Sequence, residues 1–230
     1  MEKSVDSIPT KSKFISSLIQ LLIAVAGVYL TVFGIRLFNQ YLLMSFSLPM
    51  RIVLTIVTQW TLLIVPGILM LVNREKLADL GFRKEKLLRQ IGIGALLAAA
   101  MSLVFTVLPI VLGFKDMVGS TSFKYTWQFV YEFFYCILGV ALAEEIVFRG
   151  YIFRKLLEIK SSRWIAIIVS SVLFGLFHVF GGNWIQVLMT AVLGLIYCIF
   201  REKMKSCTLL SLIIAHGVYD ALIVVWVAVL

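Results

Sequence analysis

The sequence has little charge: Asp, Glu, Lys and Arg make up only 14% of its 230 residues, whereas a soluble domain averages about 25%. Apolar residues take 61% of the positions, and the mean hydropathy is +1.02. This balance excludes an ordinary soluble domain and also a disordered chain. The apolar residues occur in runs of about 20, the length with which a helix crosses ~30 Å of hydrocarbon. We therefore expect an all-α, polytopic transmembrane helical bundle.

Several chemical signatures are also missing. The three cysteines show no C-x-x-C spacing, so neither a disulfide framework nor a cysteine-based zinc site is expected. The net charge is +9, but no basic stretch with interleaved aromatic residues indicates a nucleic-acid partner. The chain also lacks a nucleophile elbow, an H-E-x-x-H helix and a phosphate-binding loop. These absences disfavour a covalent nucleophile.

What the sequence does contain is a series of apolar segments. We predict seven spans, with eight as the alternative, at roughly 14–38, 52–72, 91–113, 127–149, 164–181, 184–200 and 207–229. Most of the 21 Lys and Arg residues lie on one side of this layout. The asymmetry predicts a multi-pass protein of the cell membrane, with the N-terminus in the cytoplasm and the C-terminus outside.

Ionisable side chains inside the spans are the informative residues, because burying one in a bilayer is costly and therefore indicates function. They are four acids and the two histidines of the chain: Glu132, Glu144, Glu145, Asp220, His178 and His216. Glu132 lies near the outer end of its span, and we interpret it as an interfacial residue.

Two adjacent acids, Glu144 and Glu145, lie five and four residues before Arg149. Glu145 and Arg149 are four residues apart and share a helix face, so they are expected to form an ion pair. Glu144 is rotated away by about 100° and is then the unpaired carboxylate, as a general base requires. The alternative interpretation is that both acids only mark the cytoplasmic end of the helix.

The histidines lie on two later spans. His178 follows Phe174 by one helical turn, and a single histidine near the end of a span is more often a hydrogen-bonded core residue than a catalyst. His216 and Asp220 are four residues apart in the middle of the last span. Burying two ionisable side chains there is costly, so the pair indicates a functional role rather than a structural one. If the three helices converge, these groups could activate a water and stabilise an oxyanion.

Three motifs on successive spans resemble the CAAX protease and bacteriocin-processing family, which is also called the type II CAAX prenyl protease or abortive-infection family. The motifs are Glu144-Glu145-x-x-x-Arg149, Phe174-x-x-x-His178 and His216-x-x-x-Asp220. The resemblance implies an intramembrane glutamate protease in which Glu144 deprotonates the attacking water with help from His178. It also implies that Arg149 holds Glu145, and that His216 and Asp220 form the oxyanion site.

One position departs from part of that family. Members of the prenyl-protein branch carry Asn where this chain has Asp220, and a carboxyl group donates a hydrogen bond only when it is protonated. Asp220 is therefore expected either to be neutral or to orient His216. Other members of the family carry Asp at this position.

The layout of the spans, the charge distribution and the position of the motifs divide the chain into three parts. Residues 1–13 are the cytoplasmic N-terminal segment, 14–113 are N-terminal transmembrane helices with a cytoplasmic loop at 73–90, and 114–230 are the catalytic transmembrane core. The site requires one further condition. Glu144 and His178 meet only if the helix of Glu144 continues past Arg149 toward Lys155 and buries the Glu145–Arg149 pair.

Three functions remain open at this stage. The leading one is proteolysis of a membrane-associated or lipidated peptide or protein, such as a bacteriocin precursor, without a cofactor. The second is a non-catalytic membrane protein that gives self-immunity or regulates a partner. The third is a zinc-dependent version of the protease, with His178, His216 and a carboxylate as ligands. A transporter is a weaker alternative, because the chain has no repeats to support it.

Overall fold

The computed structural model describes residues 11–160, 162–181 and 184–230, and these residues form helices and no β-strand. The long helices are α1 (Lys11–Tyr41), α2 (Leu48–Val72), α3 (Leu87–Val111), α4 (126–159), α5 (Arg163–Gly181), α6 (Trp184–Lys203) and α7 (Leu209–Val229). Shorter helical segments lie between them at Leu43–Ser45, Leu77–Leu80 and Lys115–Val118. The predicted all-α, polytopic architecture is confirmed.

Six of the described helices, all except α4, are long and apolar enough to cross a membrane. The helix α4 covers the predicted span 127–149 and contains Glu132, Glu144, Glu145 and Arg149. The chain is therefore a multi-pass membrane protein. Of the predicted cytoplasmic segment 1–13, residues 1–10 lie outside the described residues, and the predicted orientation of the termini stays a prediction.

Two prolines inside spans interrupt the regular helix, as their chemistry requires. Proline has no N–H to donate, and its ring clashes with the carbonyl one turn earlier. A 3₁₀ turn at Thr61–Leu63 precedes Pro66 in α2. A π-helical turn at Leu103–Val107 precedes Pro109 in α3. Each helix thus changes its hydrogen-bond pattern just before the proline.

The helix α4 lies at the centre of the bundle and packs against α1, α2, α5 and α7. It alternates between α-helix (Thr126–Phe134, Leu142–Glu145, Phe153–Ile159) and two π-helical turns (Tyr135–Ala141, Ile146–Ile152). All residues of 147–153 are buried, which is typical of a helix surrounded by other helices. The helix continues well past Arg149, so the condition that the site required is met.

Side chains from neighbouring helices bind carbonyl groups in both π-helical turns of α4. Such turns replace the normal i to i−4 pairing and leave carbonyl oxygens that need other donors. Trp60 donates to the Leu138 carbonyl at 2.6 Å, and Ser170 donates to the Phe148 carbonyl at 2.9 Å. Arg201 donates to the Arg149 carbonyl. These bonds attach α4 to α2, α5 and α6.

Close packing of α7 against α4 depends on Gly217. A Cβ atom at this position would lie 2.5 Å from the Cα atom of Ile137 and 2.9 Å from the carbonyl oxygen of Cys136. Any larger residue would push the two backbones apart, a use of glycine that is common between membrane helices. The short separation brings His216, the neighbour of Gly217, toward the acids on α4.

Charged residues hold the C-terminal end of α4, beyond the predicted span. Lys155 is almost fully buried and pairs with Glu75 from the 73–90 loop and with Glu158, at 2.5 and 3.1 Å. Burial by itself would raise the pKa of Glu158, but the hydrogen bond from Ser17 and the charge of Lys155 outweigh it and lower that pKa below its ordinary value. This network fixes the depth of α4 relative to α1 and the loop.

Candidate active site

The first pair of the site forms within α4. Arg149 Nη1 donates to Glu145 Oε1 at 2.8 Å, and both side chains are fully buried. The i to i+4 spacing on one helix face produces this ion pair, as the sequence predicted. Because both charges are removed from water, each depends on the other for compensation.

His216 on α7 connects the remaining acids. Its Nδ1 atom lies 2.8 Å from Glu145 Oε1, and its Nε2 atom lies 3.2 Å from Asp220 Oδ2 and 3.8 Å from Glu144 Oε2. The side chain of His216 is 7% exposed. A ring with a carboxylate oxygen at each nitrogen can donate to both only as the imidazolium. His216 therefore sits among three carboxylates from α4 and α7.

Glu144 and Glu145 are neighbours in sequence but have different surroundings. Glu145 Oε1 accepts hydrogen bonds from α4 and α7. Glu144 is 4% exposed, and its Oε2 atom is buried without a hydrogen-bond partner in the protein. Glu145 Oε2 is buried in the same way, but no described residue donates a hydrogen bond to Glu144, so Glu144 is the acid whose hydrogen-bonding capacity the protein leaves unused.

Phe174 forms the wall of the site on the side of α5. Its ring lies 4.0 Å from the guanidinium carbon of Arg149, a cation–π arrangement. It also contacts His178 edge to face, with ring centroids 5.0 Å apart, and His216 at 5.8 Å. Phe174 is thus the side chain that joins the three predicted motifs.

His178 lies where α5 changes into a 3₁₀ turn, at His178–Gly181. Its Nδ1 atom is 2.9 Å from the Phe174 carbonyl oxygen, which places the hydrogen on Nδ1 and leaves Nε2 as the acceptor. His178 reaches the other motifs through Phe174, and no hydrogen bond between His178 and Glu144 is found among the described residues. The contacts of His178 are thus with rings rather than with the acids.

Glu132 lies apart from this group. It is half-buried, three turns of α4 before Glu144, and accepts a weak hydrogen bond from the thiol of Cys136 at 3.7 Å. Of the six ionisable residues predicted within the spans, Glu132 is the one that lies outside the cluster around His216 and Phe174.

Two residues of α6 that sequence reasoning did not select complete the site. The Tyr197 ring lies 5.9 Å from the His216 ring and 5.7 Å from the Arg149 guanidinium carbon, and its buried hydroxyl has no partner in the protein. Gly194 provides the space for the guanidinium, since a Cβ atom there would lie 3.0 Å from Arg149 Nη2. Neither residue belongs to a charged or spaced motif, so the sequence carried no signal for them.

The described part of the chain contains no group of three or more His, Cys, Asp or Glu side chains arranged to hold a metal ion. His178 and His216, the predicted zinc ligands, both contact the Phe174 ring, whose centroid lies 5.0 and 5.8 Å from theirs. The absence of a cofactor and the zinc alternative both stay predictions.

Comparison with known protein families adds an independent finding. Residues 126–222 match the family described as type II CAAX prenyl endopeptidase Rce1-like. The matched region begins with α4 and includes all three motifs, so the predicted resemblance to the CAAX protease family is confirmed over this part of the chain. The match supports a CAAX-type intramembrane protease activity in general terms. No curated protein and no solved structure matches the chain.

Proposed function

We propose, from the match of residues 126–222 to the type II CAAX prenyl endopeptidase family, that the chain is an intramembrane endopeptidase of the glutamate type. Its substrate is a membrane-associated or lipidated peptide or protein, and the nucleophile is a water molecule activated by Glu144. The observation that carries the proposal is a contrast in hydrogen bonding: Glu145 Oε1 accepts from Arg149 and His216, whereas Glu144, with its Oε2 atom buried, accepts no hydrogen bond from the described residues.

Glu144 acts in this scheme as the general base. A water bound to Oε2 would give its proton to the carboxylate while its oxygen forms a bond to the carbonyl carbon of the substrate. The proton then passes to the amide nitrogen as the C–N bond breaks, so that a carboxylic acid and an amine leave. His178 contacts Phe174 edge to face, and in this scheme its Nε2 acceptor holds the second hydrogen of the water.

His216 provides the positive charge for the intermediate. The substrate oxygen becomes negative as water adds to the carbonyl, and a fixed positive charge near that oxygen lowers the barrier. Nε2 of His216 is 3.8 Å from Glu144 Oε2, so in this scheme the imidazolium charge lies near the carbonyl group that the activated water attacks. Glu145 and Asp220 hold the ring at its two nitrogens, and Asp220 orients His216 in this scheme rather than donating itself.

The test is the isosteric variant Glu144→Gln, with Glu132→Gln as the matched control on the same helix. The probes are an internally quenched farnesylated peptide that ends in a CAAX sequence, and the same peptide without the lipid. We expect Glu144→Gln to lower the cleavage rate by a factor of about 10² to 10⁴, the range of general acid–base catalysis. Its unfolding midpoint should stay unchanged, because the Oε2 atom makes no hydrogen bond in the protein. Glu132→Gln should cleave at the wild-type rate.

Cleavage by Glu144→Gln at the wild-type rate would refute the proposed role of this residue. A wild-type protein that leaves both peptides intact in vesicles, and whose cellular phenotype survives Glu144→Ala and His178→Ala at normal protein level, would support the non-catalytic alternative instead. Full cleavage after exhaustive chelation, with no metal found by elemental analysis, would exclude the zinc-dependent version.

A further inference from the structure

A second polar cavity lies at the basic end of the bundle, away from the acids of the proposed site. It has a volume of about 230 Å³ and is formed where α5 begins, α6 ends and the linker to α7 runs back. The 73–90 loop closes it with Gly81 and Arg83. One water needs only ~10–15 Å³ of such space, so the cavity has room for a small hydrated group.

The lining of this cavity is strongly basic. Five cationic residues line it, against a single acidic residue, Glu202: they are Arg83, Arg163, Arg201, Lys203 and Lys205. Glu202 pairs with Arg163, and Arg201 is bound to the carbonyl oxygens of Arg149 and Leu80. Within the described residues no acid pairs with Lys203 or Lys205. The cavity therefore holds an excess of positive charge that the protein itself does not neutralise.

The cavity lies at the level of a membrane boundary. Its lining residues lie where the predicted span 164–181 begins and where the predicted span 184–200 ends. Trp164, next to the cavity, is 56% exposed, and Lys203 Nζ lies 5.9 Å from its ring. Exposed tryptophan beside lysine is typical of the head-group region of a bilayer. Basic pockets between membrane helices at this depth are known to bind phosphate-bearing head groups.

We propose that this cavity binds a phosphate-bearing anion, and that the anion is the head group of an anionic membrane lipid. Lys203 and Lys205 contribute the uncompensated charge, and Arg83, which donates to the Lys205 carbonyl oxygen at 3.4 Å, holds the loop over the cavity. Arg201 connects the floor of the cavity to the carbonyl of Arg149. The side chain of Arg201 would thus connect the bound head group to the backbone of Arg149.

The test titrates the purified full-length chain, in a neutral detergent, with three probes: short-chain phosphatidylglycerol, short-chain phosphatidylcholine and inorganic phosphate. The readout is the shift of the thermal unfolding midpoint, which requires no proteolysis. The double variant Lys203→Glu/Lys205→Glu removes the site, and Lys84→Glu/Arg89→Glu is the control, because it changes the net charge equally with exposed residues that do not line the cavity.

We expect phosphatidylglycerol to raise the midpoint of the wild-type protein and of the control with equal half-saturation, and phosphatidylcholine to have no saturable effect. The Lys203→Glu/Lys205→Glu variant should need at least about ten times more phosphatidylglycerol, and the milder Lys203→Gln/Lys205→Gln should lie between. An equal response to inorganic phosphate would support the anion site and reject a lipid as its source. Equal half-saturation in the wild-type and Glu variants, or no saturable response at all, would overturn the proposal.

Discussion

Replacing Arg149 with methionine tests the buried ion pair directly. Methionine is unbranched and flexible like the arginine stem but carries no charge, so Glu145 would remain as a buried carboxylate with only His216 beside it. Breaking a fully buried pair by removing one partner costs about 3–5 kcal/mol, because the other charge is left uncompensated. The variant also loses the guanidinium stacking over Phe174 at 4.0 Å. We expect a loss of unfolding free energy at the upper end of this range.

The double variant Glu145→Gln/Arg149→Met separates that charge effect from lost packing. It leaves no unpaired charge, and the glutamine carbonyl can still accept the hydrogen bond from His216 Nδ1. Replacing both partners of a buried pair with uncharged residues is often nearly neutral. The double variant should therefore be more stable than Arg149→Met alone, even though cleavage stays lost in both.

The measurement is unfolding by sodium dodecyl sulfate in mixed micelles, followed by the fluorescence of the five tryptophans and by circular dichroism. The control is Arg163→Met, whose partner is Glu202 but whose side chain is 58% exposed, so that the loss should stay below about 1 kcal/mol. The reasoning fails if Arg149→Met costs no more than Arg163→Met. It also fails if the effects of Glu145→Gln and Arg149→Met simply add in the double variant.

Two further substitutions test how α5 and α6 support the site. Gly194→Ala places a Cβ atom 3.0 Å from the Arg149 guanidinium, so it should lower the unfolding free energy by about 1–3 kcal/mol and slow cleavage. In the control Gly92→Ala the Cβ atom meets no atom within 4 Å, so the same unfolding measurement should find it neutral or stabilising. Ser170→Ala leaves a carbonyl of the second π-helical turn without its donor and should cost about 1–3 kcal/mol, more than Ser171→Ala, whose hydroxyl bonds only within its own helix and to a thiol.

Composition and helical spacing were enough to predict the architecture and the pairs within each helix. A chain of this hydropathy requires a bilayer rather than water. In a bilayer every backbone N–H and C=O group needs a partner within the protein, and a helix supplies these hydrogen bonds within itself. The i to i+4 rule then placed Glu145 with Arg149 and His216 with Asp220, and both pairs are in contact at 2.8 and 3.2 Å. These contacts depend only on the geometry of a single helix, which is why the sequence determines them.

Contacts between helices were beyond the reach of the same rule. Arg201 is one of the 21 Lys and Arg residues whose distribution predicts the orientation, but in the structure it is partly buried and binds the carbonyls of Arg149 and Leu80. The π-helical turn at Ile146–Ile152 creates the need for that donor. Whether a turn is of the α or π type depends on the neighbours that accept and donate around it, and a single sequence does not state them.

Helical spacing explains part of the difference between Glu144 and Glu145, and the packing of α7 against α4 explains the rest. Rotation by about 100° per residue predicts that only one of two adjacent acids can share a face with Arg149. It does not predict that the same acid also binds His216 on α7, because that contact depends on how closely Gly217 lets α7 approach α4. With both donors directed to Glu145, Glu144 is left buried without a hydrogen bond to its Oε2 atom, and His216 Nε2 lies 3.8 Å away. A protein that only needed to bury a charged pair would gain nothing from keeping Glu144 beside it, since a buried carboxylate oxygen without a hydrogen bond is costly. The cost is explained if Glu144 binds a water that reacts.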